Sequence, residues 1–302
     1  MRELVIIGAG PAGLSAALYG ARAGLDLVVL ESNFMAGGQV LNTYEVDNYL
    51  GMPKVNGFDM GMQFKAHAEG LGVEIVSCVV EKIERKEDYY IVYTSEETIA
   101  CKTVLLATGA VSRKLDIPGE DMFKGRGVGY CATCDGAFYR GKITAVIGGS
   151  YQAVEDAIYL SNICEKVYLV HRRDTLRAGA VLEKELQELT NVKIIWNHVP
   201  VEIKGTEQVE SLRIKDVNTG EERTLNVDGV FVAVGTVPTT TLAKGLVEMD
   251  EYGYIVAGET GKTSLPGFFV AGDIRTKQLR QIITAVADGA NAVTTAQSYL
   301  KK

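Results

Sequence analysis

The chain has 302 residues, with 31 Lys and Arg against 38 Asp and Glu, for a net charge of −7. A hydrophobic fraction of 47 % beside 23 % charged residues is globular composition with apolar material for two cores, which excludes a disordered chain. The acidic balance argues against nucleic acid as a partner, and no apolar run approaches the ~18 residues of a membrane span.

Residues 4–7 follow Met1-Arg2-Glu3 as a short apolar strand, not as a signal peptide. Gly8-Ala9-Gly10-Pro11-Ala12-Gly13 then leads into an Ala-rich helix that Gly24 stops, and residues 26–30 form a second strand ending at Glu31. Residues 60–68 read as an amphipathic helix, and residues 73–83 and 89–94 as β segments preceding a strand at 103–107. The grammar then repeats. Residues 142–147 form a strand, Gly148-Gly149-Ser150-Tyr151-Gln152-Ala153 a turn, 154–162 a helix, and 166–170 a strand running into His171-Arg172-Arg173. Segments 193–196 and 211–217 are β-rich, and 229–234 is the matching late strand. An apolar strand ending at Ala271-Gly272-Asp273 and a helix over about 281–300 close the chain. The expected fold is therefore α/β, with two Rossmann-like dinucleotide-binding domains in tandem and crossings near residues 115 and 246.

The first glycine loop follows a strand, opens a helix, and has an acid eighteen residues past its last glycine. Gly8 allows the turn, Gly10 lets backbone approach a pyrophosphate, and Gly13 lets helix and strand pack. Glu31 can accept hydrogen bonds from an adenosine ribose and would repel a 2′-phosphate, which suits FAD or NAD. In the second repeat His171, Arg172, Arg173 and Arg177 stand where Glu31 stands in the first, and guanidinium groups there select a 2′-phosphate, hence NADP. Within the loop, Ser150 places a side chain where the motif wants bare backbone, beside the bulk of Tyr151.

Cys131-Ala132-Thr133-Cys134-Asp135 reads as a redox dithiol at a helix start, where the helix terminus lowers the thiol pKa. Zinc would need four ligands, and with no second Cys pair and His67, His171 and His198 at no ligand spacing, no metal is expected. Asp135 reads either as a proton carrier for thiol–disulfide exchange or as an acid at a helix N-terminus. Cys78, Cys101 and Cys164 are scattered singly, which is not a secreted disulfide framework, so a reducing cytoplasm is the expected compartment.

In this order, the first glycine loop, Cys-Ala-Thr-Cys-Asp, His-Arg-Arg-x-x-x-Arg and the Ala-Gly-Asp…Arg-Gln tail resemble low-molecular-weight thioredoxin reductases over essentially the whole chain. The resemblance implies a discontinuous FAD domain, residues 1–115 with 246–302, and an inserted NADPH domain, 116–245, carrying the Cys pair. Each domain would be a three-layer ββα fold, and the chain a homodimer reducing oxidised thioredoxin. It assigns Gly8, Gly10, Pro11, Ala12, Gly13, Glu31, Gly38, Gln39, Asn48, Val80, Gly109, Gly272, Asp273, Arg280, Gln281 and Ile282 to the flavin. Gly148, Gly149, Ser150, His171, Arg172, Arg173 and Arg177 fall to NADPH. Cys131 becomes the nucleophile toward thioredoxin, Cys134 the flavin-facing thiol paired with it, and Asp135 the acid. The altered loop departs from the family's Gly-x-Gly-x-x-Ala and admits a second donor, such as ferredoxin, in place of NADPH.

Overall fold

The computed structural model describes residues 1–301 apart from Tyr44, Glu45 and Asp47, and all their side chains apart from those of Asn42 and Cys134. Its α-helices in chain order are α1 (Pro11–Arg22), α2 (Gly57–Glu69), α3 (Ala132–Asp135), α4 (Tyr151–Ser161), α5 (Ala180–Glu188) and α6 (Ile282–Leu300). The chain divides into two compact units, Met1–Val111 with Val237–Lys302 and Ser112–Thr236.

In the first unit, strands Glu74–Ser77, Leu27–Glu31, Arg2–Ile7 and Thr98–Leu106 lie side by side in parallel. On the edge away from Arg2–Ile7, Thr98–Leu106 is long enough to serve two partners. Its first half pairs antiparallel with Tyr90–Thr94, which continues to Val80–Arg85, and its last three residues pair in parallel with Phe268–Val270. Alternate residues of each parallel strand go to opposite faces, and here both faces are buried. Leu4, Ile6, Leu27, Val29 and Leu105 pack with Leu14, Ala16 and Ala17 of α1 and Ala292, Val293 and Ala296 of α6. Val5, Ile7, Val28, Leu30 and Val104 pack instead with Ile83, Tyr90 and Val92 of the antiparallel strands and with Ala243 and Ile255.

The second unit repeats this scheme. Val192–Ile195, Lys166–Val170, Ile143–Gly148, Gly229–Ala233 and Val128–Gly129 form one parallel sheet. One face buries Val146, Val167, Leu169 and Phe231 against Ala153, Ala157 and Leu160 of α4. The other buries Ala145, Ile147, Val170 and Val230 against Ile203, Leu212, Ile214 and Leu225 of a three-stranded antiparallel sheet. Each unit is thus a three-layer ββα dinucleotide-binding fold, the second inserted into the first.

The crossings fall at 111 and 237, not near 115 and 246. Leu115 and Ile117 already pack on the second unit's core, whereas Leu242, Ala243, Leu246 and Val247 pack on the first unit's. The segment expected as one β stretch over 73–83 is split. Residues 74–77 extend the parallel sheet beside Leu27–Glu31, and the antiparallel excursion starts only at Val80. Helix α4 begins at Tyr151, three residues earlier than expected, with Ser150 at the N-cap in an extended conformation.

Candidate active site

In the first unit the glycine loop separates two demands. Gly8 has φ 103°, and a Cβ there would lie 2.5 Å from the carbonyl oxygen of Ala107, while a Cβ on Gly13 would lie 1.8 Å from the carbonyl oxygen of Gly8. These two glycines are required by packing. Gly10 has an extended backbone, φ −77° and ψ −175°, and a Cβ there would meet nothing nearer than the Cα of Gly38 at 3.7 Å. Packing does not require this position to be bare. Pro11 and Ala12 start α1, whose first N–H groups are open there.

Other chain segments converge on this point. Gly38 has φ 66° and lies against the Gly10 backbone, and the Gly37 N–H donates to the Ala9 carbonyl at 2.8 Å. Glu31 is buried. It accepts from the Ala9 N–H at 2.7 Å and from both the backbone N–H and the side-chain amide of Asn33, at 2.8 and 2.7 Å. A Cβ at Gly272 would come within 3.0 Å of the Ala12 side chain. The Asn48 amide donates to Gln281 Oε1 at 3.0 Å, Gln281 caps α6, and Ile282 packs partly buried against Val40, Val46 and Met60. Gln39 is exposed beside Gly38. Gly109 lies three residues past strand Thr98–Leu106, its carbonyl accepting from the Thr239 N–H, and Val80 opens the antiparallel ribbon.

Next to Gly272, Asp273 Oδ1 is buried without a hydrogen bond, as is Arg280 Nε. Burial raises the Asp273 pKa, while Lys277 and Arg280 act against that shift. The Arg280 guanidinium lies 4.0 Å from the centre of the Tyr254 ring.

In the second unit Gly148 stands as Gly8 does in the first, since a Cβ there would lie 2.4 Å from the Ala233 carbonyl oxygen. Ser150 corresponds to Gly10 and has its backbone, φ −85° and ψ 174°, so the serine leaves the turn intact; its hydroxyl makes no cap bond. Tyr151 is exposed at the first position of α4 and hydrogen-bonds Glu155. The basic cluster divides in two. His171 is buried with its ring against Gly149, where a Cβ would come within 2.2 Å, and Nε2 lies 3.0 Å from the Thr175 carbonyl. Burial first, and then the neighbouring arginines, push its pKa down, so a neutral imidazole supports the loop from below. Arg172, Arg173 and Arg177 are exposed and, among the described residues, form no ion pair. The Arg177 backbone N–H donates to the Gly149 carbonyl at 2.8 Å, which ties the cluster to the loop.

Cys131 is the N-cap of the short α3 and is held in a disulfide, whereas Cys78, Cys101 and Cys164 are free and buried. The side chain of Cys134, its expected partner, lies outside the described residues. Cys131 Sγ also lies 3.4 Å from Thr133 Oγ1. The Asp135 carboxylate leans over the end of strand Val128–Gly129, where a Cβ on Gly129 would meet Oδ2 at 2.9 Å, and burial raises its pKa. Among the described residues no group of His, Cys, Asp and Glu could hold a metal ion.

Residues 2–289 match the model of the pyridine nucleotide-disulphide oxidoreductases. The chain belongs to this family. Among members of that family, thioredoxin reductase of Listeria innocua is 42 % identical over 301 residues, covering 99 % of this chain and 94 % of the relative. Thioredoxin reductase of Treponema pallidum is 42 % identical over 299 residues, covering 99 % and 97 %. The solved Lactococcus lactis thioredoxin reductase superposes with a TM-score of 0.84 at 41 % identity, covering 100 % of this chain and 99 % of that one. The chain is an oxidoreductase of this family.

Sequence reading missed three ionised residues around Gly272. Asp288 of α6 accepts from the Gly272 N–H at 3.1 Å, from Arg275 Nε at 2.8 Å and from Lys277 Nζ at 3.0 Å. Their signal was present: a lone acid in a helix otherwise built of apolar, small and polar residues has to find cations if it is buried.

Proposed function

We infer that the chain is a thioredoxin reductase, moving electrons from NADPH through FAD and the Cys131–Cys134 disulfide to oxidised thioredoxin. The observation that carries this reading is the Cys131 disulfide at the start of α3, in a chain 42 % identical to thioredoxin reductases over nearly its whole length. A dinucleotide fits the first unit. Bare Gly10 backbone and the open start of α1 suit its pyrophosphate, the buried Glu31 suits its ribose, and the unpartnered Asp273 Oδ1 and Arg280 Nε suit a polyhydroxyl chain. Bound there, a flavin supplies two-electron exchange between a nicotinamide and a disulfide. Arg172, Arg173 and Arg177, exposed on an acidic protein, hold the 2′-phosphate that distinguishes NADPH from NADH.

Once its disulfide is reduced, the Cys131 thiolate attacks one sulfur of the thioredoxin disulfide. A mixed disulfide forms and the other thioredoxin sulfur leaves as thiolate. Cys134 then attacks Cys131 Sγ, re-forming the internal disulfide and releasing the second thioredoxin thiolate. Asp135, whose pKa burial raises, supplies a proton to a leaving thiolate. The reading places the protein in the cytoplasm as a homodimer.

Anaerobic NADPH should bleach the flavin, and oxidised thioredoxin should restore its colour. Cys131→Ser should leave the bleaching and abolish thioredoxin turnover. A variant retaining a tenth of wild-type turnover would overturn the role of Cys131, and a flavin bleached by reduced ferredoxin but not by millimolar NADPH would overturn the donor.

A further inference from the structure

The turn at Gly272–Asp273 is held by more charge than its shape needs. Asp288 is buried, and its carboxylate receives four donors: the Gly272 N–H, Arg275 Nε, an Arg275 terminal nitrogen and Lys277 Nζ. Arg275 is buried as well, and the Lys277 side chain is only 5 % exposed. Lys277 Nζ also lies 3.6 Å from the Asp273 Oδ1 that has no hydrogen bond. Two carboxylates, Asp273 and Asp288, are thus set among the cations Arg275, Lys277 and Arg280 around one backbone turn. A buried network of this kind is expensive to desolvate, and replacing it by apolar packing is often neutral or stabilising, so stability alone is a poor account of it.

We propose that Asp288 and Lys277 are a positioning pair that sets the reduction potential of the flavin. They do so by fixing the place of Asp273 and by the opposite signs of their own charges. The inference rests on the reading that the first unit holds FAD along Gly272–Asp273. Asp288 fixes the turn through the Gly272 N–H, and Lys277 bridges Asp288 on α6 to Asp273. Oδ1, which accepts no hydrogen bond, is then held in one place for the flavin. In alkaline solution flavin reduction adds negative charge, so each ion of the cluster shifts that equilibrium with the sign of its own charge, little screened because the group is buried.

The test is the midpoint potential of the purified holoenzyme at pH 9, by spectroelectrochemical titration, for wild type, Asp288→Asn, Lys277→Met and the double variant. Asp288→Asn removes a negative charge and should raise the potential. Lys277→Met removes a positive charge and should lower it. The double variant restores the balance and should return close to wild type. Loosening of the fold would move both single variants in the same direction, so opposed shifts that cancel in the double variant are the signature of this pair. Shifts of the same sign, or none, overturn the proposal. If Asp288→Asn does not fold, Lys277→Met and the double variant still decide it, because the second must reverse the shift of the first. A wild-type protein that binds no flavin overturns the functional reading as well, whereas bound flavin without opposed shifts overturns only this proposal.

Discussion

Asp156 shows how one buried group leaves a measurable trace. It lies on the second turn of α4 among Ala153, Ala157 and Leu160, and burial, with a smaller push from Glu155, raises its pKa from 3.8 to about 7. Below pH 3.8 the carboxyl is protonated in both folded and unfolded chains. As pH rises from there toward 7 the unfolded chain releases its proton and the folded one keeps it, so stability falls through that window and levels off above it. Between pH 5 and pH 8 wild type should lose roughly 2–3 kcal/mol more stability than Asp156→Asn, read from urea denaturation of each. Equal losses in the two proteins would mean that Asp156 ionises freely in the folded state. Asp135 has the same direction of shift, also from burial, but it stands beside Cys131. Asp135→Asn should slow thioredoxin turnover roughly 10²-fold while leaving flavin bleaching by NADPH unaltered. A loss under twofold would favour a helix-terminal acid, the other reading open from sequence. The glycines were legible as residues because spacing identifies them. His171 was not, since a histidine followed by two arginines reads as part of a charge cluster until burial shows it packed beneath Gly149.

At the scale of elements, strand periodicity and the two glycine loops were enough to find both βαβ units, because period two and the strand–glycine–helix order are local properties. The division of the β-rich stretch was not legible. Residues 74–77 and 80–85 are both polar-rich, and only pairing distinguishes a parallel edge from an antiparallel ribbon. The contact of α1 with α6 was also hidden, since it joins positions far apart in the chain. A Cβ on Gly289 would lie 2.0 Å from the Ala12 carbonyl oxygen, a backbone atom that cannot move aside, and Ser15 donates to the Val286 carbonyl at 2.7 Å nearby. Gly289→Ala should therefore force the helices apart, costing roughly 1–3 kcal/mol of stability, and should loosen flavin through the start of α1. Thermal unfolding and the flavin content of the purified variant check this. A fully flavinated Gly289→Ala protein of unchanged melting temperature would show that the helices can separate freely.

For the whole molecule, the repeat was readable because the chain builds the same fold twice and changes the ion at the end of the second strand. The carboxylate of Glu31 closes one loop, and three exposed guanidinium groups stand at the other. The crossings were harder to place, because Leu115 and Leu246 each continue the core of the unit they have joined and no polar linker marks the change. In the proposed function the choice of electron donor turns on the second loop. Ser150 keeps the backbone of Gly10, so its side chain is an addition to the turn and not a distortion of it, and the Arg177 backbone secures the loop to the basic cluster. On the proposed reading selectivity rests on Arg172 and Arg173, whose charge-assisted bonds to a 2′-phosphate would contribute about 1.5–3 kcal/mol each. NADH lacks that phosphate and gains nothing from them. Arg172→Gln combined with Arg173→Gln should raise the NADPH concentration that half-bleaches the flavin at least about tenfold, and leave that for NADH within about twofold. Both numbers come from one anaerobic titration with each nucleotide. If the double variant still prefers NADPH as strongly as wild type, the phosphate is held elsewhere and the symmetry between Glu31 and the arginines is only formal.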